Sequence, residues 1–306
     1  MTLIDLSGRV AVVTGAGRGL GRSHALALAA RGAAVVINDL GAALDGAGAS
    51  MLPAEDVVEE IRRSGGRAIA ESSDISSEEG GAALVNRTIE TFGRIDILVN
   101  NAGILRDRSA HKMQVADAEA VVRVHLHGAF CSTLPAYARM RTQGYGRIIQ
   151  TSSASGLFGN FGQANYGAAK AGLIGLTKVI AIEGRNNNIF CNAISPCAAT
   201  RMTEAGFADM AGLFGPDLVS PLVVYLASEN CRITGEIFSV GGGQIARIFV
   251  ALSEGIFQKD APFTPEQIEQ SMDRILDTSS YSIPRSLEDE WTKMLKQHGL
   301  HAAAGQ

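Results

Sequence analysis

The sequence lacks an excess of charge of one sign. Its 27 lysines and arginines stand against 31 acidic residues, which leaves a formal net charge of −4, and no block of like charge occurs along the chain. Proteins that bind nucleic acid present a basic stripe to the phosphates. The composition therefore argues against nucleic acid as the main ligand.

Long apolar runs are also absent. No stretch reaches the roughly 18 uninterrupted apolar residues of a membrane span. The first residues, "MTLIDLSGRVAVV", contain an acid and no basic segment before the apolar stretch, unlike a secretory signal. The last residues, "HAAAGQ", carry no Ser-Lys-Leu peroxisomal address. We therefore expect a cytoplasmic protein without a membrane span.

Cysteine is scarce, and no two cysteines form a C-x-x-C pair. The chain has four, namely Cys131, Cys191, Cys197 and Cys231. This pattern favours free thiols in a reducing compartment over disulfides or a zinc site. We predict no metal site.

Short β-branched apolar runs alternate with longer segments of helical period. This alternation predicts an α/β fold, a Rossmann-like, doubly wound parallel sheet of about seven strands with helices on both faces. The predicted strands are 9–14, 33–39, 67–72, 95–101, 146–152, 189–195 and 236–240. The clearest predicted helices are 20–32, 54–66 and 163–184.

The strand pattern stops after the three glycines that follow the last predicted strand. We therefore assign residues 1–243 to the sheet domain and residues 244–306 to a helical C-terminal extension packed on the same domain. Thr264 and Ser286 are predicted helix starts in this extension. Trp291 is a predicted apolar anchor.

The motif "TGAGRGLG" lies between the first predicted strand and the first predicted helix. Gly15, Gly19 and Gly21 let the backbone turn sharply and approach a pyrophosphate, whose charge then lies at the helix N-terminus. Arg18 and Leu20 belong to the same loop. Glycine clusters also serve ordinary tight turns, but this strand and helix context indicates a dinucleotide site.

Asp39 ends the second predicted strand. A carboxylate there accepts hydrogen bonds from the adenosine ribose hydroxyls and repels a 2′-phosphate, which favours NAD over NADP. Two alternatives compete: Asp39 is also a good strand-end turn former, and Arg18 could pair with a 2′-phosphate. We expect the fixed carboxylate to outweigh the flexible arginine, so the predicted cofactor is NAD.

Tyr166 and Lys170 lie at i and i+4 of a predicted helix and share a face. A nearby ammonium favours the phenolate and so lowers the pKa of a phenol, which would make Tyr166 a general base. Ser153 follows the fifth predicted strand, and the carboxyl ends of such strands face the ligand crevice. The three side chains are therefore predicted to form one catalytic set.

Several motifs in order resemble the short-chain dehydrogenase/reductase family. They are "TGAGRGLG", "NNAG" at 100–103, and Ser153 with Tyr166-x-x-x-Lys170, and the resemblance covers roughly residues 5–243. The segments "NDLG", "NNAGILRDRS" and "GNFGQANY" resemble in particular the family members that oxidise (3R)-hydroxyacyl-CoA thioesters in β-oxidation.

The resemblance implies a role for each matching residue. Tyr166 would take the proton of a substrate hydroxyl, Ser153 would hold its oxygen, and Lys170 would bind the nicotinamide ribose and tune Tyr166. Further cofactor contacts are implied for Asp74, Ile75, Asn101, Ala102, Gly103 and Thr200.

The segment "VHLHGAF" departs from the family pattern. His125 stands where the family has its fourth catalytic residue, an asparagine, so the resemblance implies a place in a proton relay, and a near-neutral pKa would suit that role. The alternative is a core histidine bonded to a backbone carbonyl. His127 faces elsewhere on a helix, so we expect it to be structural and expect no metal shared by the pair.

The leading functional prediction is NAD-dependent oxidation of a (3R)-3-hydroxyacyl-CoA, fatty acyl or steroid side-chain, to the 3-ketoacyl-CoA. Two alternatives stay open: a 17β-hydroxysteroid dehydrogenase, and a non-catalytic NAD-binding scaffold or sensor. The segment "RMTEAGFADMAGLFGPD" after Thr200 suits an apolar substrate without naming one. The resemblance also implies a homodimer or homotetramer and a separate enoyl-CoA hydratase acting in trans.

Overall fold

The main sheet of the computed structural model, which describes residues 3–200, 202 and 211–300, has eight strands. These are β1 Val10–Thr14, β2 Ala34–Asn38, β3 Arg67–Glu71, β4 Ile97–Asn100, β5 Gly146–Thr151, β6 Ile189–Pro196, β7 Ile237–Gly241 and β8 Gln244–Ile248.

The order of the strands is β3-β2-β1-β4-β5-β6-β7-β8, and β1 to β7 pair in parallel. The chain winds one way from β1 to β3 and the other way from β4 onwards, which confirms the predicted doubly wound fold. The switch between β1 and β4 leaves a crevice beyond the carboxyl ends of these two strands, where such folds bind ligands.

Helices cover both faces of the sheet. They are α1 Gly19–Ala29, α2 Leu52–Arg63, α3 Glu78–Phe92, α4 Val115–Val122, α5 Gly128–Gln143, α6 Ala154–Phe158, α7 Ala164–Gly184 and α8 Ser220–Ala227. The three helices predicted from periodicity are confirmed as α1, α2 and α7. The buried apolar side chains form two clusters, one with Leu28, Val57 and Leu222 and one with Leu84 and Leu173.

The eighth strand departs from the expectation that strands stop after the glycines. Gly242 and Gly243 have φ of +56° and +77°, and a two-residue hairpin turn needs positive φ at both central positions. The chain therefore turns back at once into β8. The segment "QIARI" carries exposed and half-buried side chains at the sheet edge, so it lacks the continuous apolar pattern by which the other strands were predicted.

The chain folds as two compact units, Met1–Arg247 and Ile248–Gln306. The second unit holds β9 Leu252–Ser253, α9 Pro265–Gln270, α10 Met272–Ile275, β10 Tyr281–Ser282 and α11 Leu287–Gln297. The antiparallel pair of β9 and β10 was not part of the predicted helical extension. Packing of this unit on the sheet domain stays a prediction.

Both predicted helix starts in the second unit are confirmed. The Thr264 hydroxyl accepts from the Gln267 N–H and completes a capping box on α9, and the Ser286 hydroxyl accepts from the Asp289 N–H on α11. Trp291, the expected apolar anchor, has 57% of its surface exposed.

None of the described helices is both long enough and apolar enough to cross a membrane. The four cysteines are free thiols, and Cys197 alone among them is exposed. In the described part of the chain, no group of three or more His, Cys, Asp and Glu side chains could hold a metal ion.

His24 on α1 is fully buried. Its Nδ1 lies 2.8 Å from the Ser220 hydroxyl on α8, while its Nε2 has no hydrogen-bond partner among the described residues. Burial lowers the pKa of His24 to about 3 from the ordinary 6.5. As pH falls below 6.5, the unfolded chain therefore binds a proton at His24 that the folded protein does not bind, and the free energy of unfolding decreases.

We expect the free energy of unfolding to fall by about 1 kcal/mol per buried neutral histidine between pH 6.5 and 5.5. His125 behaves in the same way, as described below. In His24→Leu, one of these two contributions disappears, so the loss of stability measured by urea unfolding over this pH range should be smaller by that amount. An unchanged loss would show that His24 is protonated in the folded protein.

Candidate active site

A cavity of about 470 Å³ lies where β1, β2 and β4 end. Most of the predicted cofactor residues line it. These are Gly15, Arg18, Gly19, Leu20, Asp39, Asp74, Ile75, Asn101, Ala102, Gly103 and Thr200. Gly21, Tyr166 and Lys170 are not among its lining residues.

The glycine loop needs glycine for two different reasons. Gly15 has φ of +63°, and a Cβ atom there would lie 2.7 Å from the Cα of Ala102, so only glycine permits both the turn and the close approach. A Cβ on Gly21 would lie 2.2 Å from the Gly15 carbonyl oxygen. Gly21 therefore allows the helix to pack under the loop and does not face the cavity.

Thr14 and Asn101 tie the ends of β1 and β4 together. The Asn101 Nδ2 donates to the carbonyls of Thr14 (3.0 Å) and Gly15 (3.1 Å). The Thr14 hydroxyl accepts from the N–H groups of Asn101 (3.0 Å) and Ala102 (3.1 Å). Asn101 was predicted as a cofactor contact, whereas Thr14 was not predicted, and its one signal in the sequence was its position before the glycine loop.

The Asp39 carboxylate is held in place at the end of β2. One oxygen accepts from the Gly17 N–H (2.7 Å) and the other from the Gly41 N–H (2.6 Å). Arg18 is exposed. A fixed carboxylate beside glycine backbone at a helix N-terminus fits the ribose and pyrophosphate of a dinucleotide.

The remaining predicted cofactor residues lie on other walls of the same cavity. The Asp74 carboxylate accepts from the Ser76 N–H (2.9 Å), and Ile75 is buried. The Thr200 hydroxyl accepts from the Met202 N–H (3.2 Å). Residues 201 and 203–210 of the predicted substrate segment lie outside the described residues.

The predicted catalytic set comes together at the carboxyl end of β5. The Ser153 hydroxyl oxygen accepts from the Ser155 N–H (3.2 Å) and interacts with the Tyr166 hydroxyl. The Lys170 Nζ lies 5.5 Å from the centre of the Tyr166 ring and donates to the Thr151 carbonyl. The register of α7 thus places the base and the amine on one face, and the end of β5 brings Ser153 beside the base.

The pKa of Tyr166 differs from the expectation. Burial raises it, the bond with Ser153 lowers it by less, and the charge of Asp107 raises it further. The predicted lowering by Lys170 is not found, because burial lowers the pKa of Lys170 itself to about 7. An amine that is only partly protonated at neutral pH stabilises a phenolate weakly.

His125 lies in a π-helical turn, Arg123–His127, between α4 and α5. Its ring stands edge-on to the Tyr166 ring at 5.1 Å between centroids. Its Nε2 lies 2.8 Å from the carbonyl oxygen and 3.1 Å from the nitrogen of Ile104. A Cβ on Gly103 would lie 2.1 Å from the imidazole Cε1, so only glycine leaves room for this ring.

The expected near-neutral pKa of His125 is wrong. Burial, and then the charge of Lys170, lower it to about 3, so the imidazole is neutral at physiological pH. The bond to the Ile104 backbone is the one expected of a core histidine. The contact with Tyr166 is compatible with a proton relay, which stays a prediction. Because the imidazole is neutral, such a relay would work by exchange between its two neutral tautomers. His127 is exposed, as expected for a residue outside the site.

Comparison with known proteins agrees with this geometry. A family model described as short chain dehydrogenase matches residues 9–211. Peroxisomal multifunctional enzyme type 2 of Mus musculus is 48% identical over 289 residues, which are 94% of this chain and 39% of that protein. A hydroxyacyl-CoA dehydrogenase of Mycobacterium tuberculosis is 40% identical over 279 residues, 84% of either chain.

The solved structure of full-length peroxisomal multifunctional enzyme type 2 from Drosophila melanogaster has a TM-score of 0.81 and 37% identity to this chain. The match covers 96% of this chain and 50% of that structure. The chain thus spans half or less of the two multifunctional relatives. On the family match, the doubly wound sheet and the site at its switch point, this chain belongs to the short chain dehydrogenase family.

Proposed function

We propose that the protein oxidises (3R)-3-hydroxyacyl-CoA thioesters, of fatty acyl or steroid side-chain origin, to 3-ketoacyl-CoA with NAD. The observation that carries the proposal is the convergence of Ser153, Tyr166 and Lys170 at the sheet end that also bears the fixed Asp39 carboxylate. The names of the relatives, multifunctional enzyme and hydroxyacyl-CoA dehydrogenase, support the thioester substrate.

Bound NAD would supply the hydride acceptor. The glycine loop would hold its pyrophosphate, Asp39 its adenosine ribose, and Asn101, Ala102 and Gly103 would form the floor beneath it. Lys170 would bind the nicotinamide ribose. These contacts would leave the substrate between the cofactor and the Tyr166 hydroxyl.

Tyr166 would act as the general base. The ionised Tyr166 oxygen would accept the proton of the substrate hydroxyl as the carbon gives its hydride to the bound cofactor and a carbonyl forms, while Ser153 would hold the reacting oxygen by a hydrogen bond. Because burial raises the pKa of Tyr166, the oxidative direction gains from alkaline pH, where more of the phenol is ionised.

We also propose that the protein is cytoplasmic and forms a homodimer or homotetramer through α5 and α7. Four apolar side chains on these helices support self-association, because each has between 39% and 54% of its surface exposed: Phe130, Leu134, Val179 and Ile182. A separate enoyl-CoA hydratase would supply the hydroxyacyl thioester in trans.

Cofactor choice is tested at Asp39. In Asp39→Ser, we expect the ratio of kcat/KM with NAD to kcat/KM with NADP to fall about 100-fold, because the carboxylate that bonds the ribose hydroxyls and repels a 2′-phosphate is removed. The matched control is Asp56→Ser on the exposed face of α2, which should keep the wild-type ratio. An unchanged ratio in Asp39→Ser would refute the role of Asp39.

The substrate is tested by NADH formation with paired (3R)- and (3S)-hydroxyacyl-CoA esters of several chain lengths and a 17β-hydroxysteroid. We expect turnover of the R thioesters alone. In Tyr166→Phe, turnover should fall by about 10³ or more while NADH binding is kept. Activity on the steroid alone would refute the acyl-CoA proposal. Binding of NADH without turnover of any of these substrates would support the scaffold alternative.

A further inference from the structure

The segment after β4 is fastened to the beginning of α7, the helix that carries Tyr166. The Arg108 N–H donates to the Gly162 carbonyl (2.9 Å). The side-chain amide of Asn165, a buried residue, donates to the Arg106 carbonyl (2.9 Å). Two sequence-distant segments therefore meet in a fixed register next to the catalytic set.

Asp107 lies in this register and begins a chain of hydrogen bonds. Its Oδ2 accepts from the Gln163 Nε2 (2.7 Å). The Gln163 Oε1 accepts from the Ser155 hydroxyl (2.7 Å) and from the Asn160 Nδ2 (3.0 Å). The Ser155 N–H donates to the Ser153 hydroxyl oxygen (3.2 Å).

The chemistry of these groups fixes the direction of the side-chain bonds as far as the Ser155 hydroxyl, and the backbone N–H of the same residue makes the last bond, to Ser153, which also caps α6. A carboxylate only accepts, so the amide of Gln163 must turn its NH₂ towards Asp107 and its oxygen towards Ser155. At the far end, the Ser155 N–H occupies one acceptor position of the Ser153 hydroxyl. The proton and the other lone pair of Ser153 are then directed elsewhere, and Tyr166 is one group that this hydroxyl meets.

The other oxygen of Asp107, Oδ1, is buried and has no hydrogen-bond partner among the described residues. Within that part of the chain, no lysine, arginine or histidine forms an ion pair with Asp107. Burial of an incompletely satisfied carboxylate is unfavourable for folding alone. A buried polar atom without a hydrogen-bond partner needs a reason other than packing, and a role in a functional site is one such reason.

We propose that Asp107, Gln163 and Ser155 form a positioning relay that orients the Ser153 hydroxyl beside Tyr166, with the unneutralised Asp107 carboxylate as its anchor. This proposal rests on the proposed function in one respect only, the identity of the substrate. The three residues act through Ser153 and are positioning residues.

The charge of Asp107 affects a measurable quantity, the pKa of Tyr166, which a purely structural role of Asp107 would leave unchanged. Three titratable groups face Tyr166: Asp107 from the segment after β4, Lys170 from α7 itself, and His125 from the π-helical turn. Of these, the Asp107 carboxylate raises the pKa of Tyr166. Removal of its charge should therefore lower the pH at which Tyr166 ionises.

The first experiment needs no substrate. The tyrosinate absorbance is titrated in the wild type and in Asp107→Asn, and in each case the curve of the same protein with Tyr166→Phe is subtracted, which leaves the titration of Tyr166. We expect the Asp107→Asn midpoint to lie lower by about 0.5 pH unit. The control is Asp117→Asn, which removes a nearby carboxylate paired with Arg106 and should not move the midpoint. An unmoved midpoint in Asp107→Asn would overturn the role of its charge.

The second experiment exchanges the carboxylate and the amide that form the hydrogen bond between Asp107 and Gln163. Gln163→Glu places a carboxylate against Asp107, so kcat should fall about tenfold or more. In the double variant Asp107→Asn with Gln163→Glu, the amide introduced at position 107 can donate to the carboxylate introduced at position 163. That carboxylate still accepts from the Ser155 hydroxyl, so we expect kcat to recover to within about threefold of the wild type. A double variant as impaired as Gln163→Glu would refute the relay.

Both variants are first compared with the wild type in thermal unfolding, and kcat is measured with whichever secondary alcohol the wild type oxidises. If the wild type does not oxidise (3R)-hydroxyacyl-CoA but oxidises another alcohol, the proposed function is refuted. The recovery of kcat in the double variant, measured with that alcohol, then still tests the relay. If the protein oxidises none, the relay has no reaction to serve and is overturned, while the tyrosine titration still decides whether the Asp107 charge acts on Tyr166.

Discussion

The hydrogen bonds between Thr14 and Asn101 are the interaction on which the site depends. They join the ends of β1 and β4 at the place where the winding of the sheet reverses. Parallel strands that diverge at a switch point leave a crevice, and this crevice is useful only if the two loops that bound it keep a constant separation. One hydroxyl and one amide set that separation and at the same time satisfy backbone groups that β-pairing leaves free.

Burial is the second constraint, and it acts on every titratable group of the catalytic set. It lowers the pKa of Lys170 to about 7, lowers that of His125 to about 3, and raises that of Tyr166. In each case the neutral form is favoured, because a low-dielectric interior penalises charge. At neutral pH the protein alone therefore keeps Tyr166 and His125 neutral and Lys170 only partly protonated, and an additional positive charge beside Tyr166 would be needed to bring its ionisation towards neutral pH. The oxidised nicotinamide ring carries such a charge.

The carboxylates of the site illustrate two ways to keep a charge in place. Asp39 receives two backbone N–H groups, so both of its oxygens are satisfied where a ribose would bind. Asp107 receives one side-chain amide and keeps one buried oxygen that has no hydrogen-bond partner among the described residues, so its field reaches Tyr166. The first arrangement suits recognition of a ligand, and the second suits control of a neighbouring proton.

The sequence by itself determined the sheet, the principal helices and the main members of the site. The reason is that apolar periodicity, glycines between a strand and a helix, and the i, i+4 spacing of Tyr166 and Lys170 are local properties of the chain. It did not reveal β8, whose exposed edge lacks an apolar pattern, nor Thr14, nor Gln163, although Gln163 lies about one helical turn before Tyr166. The tertiary structure decided the pKa values and the partners of Asp107 and His125, because burial and contacts between residues distant in sequence arise only when the segments after β4 and before α7 are brought together.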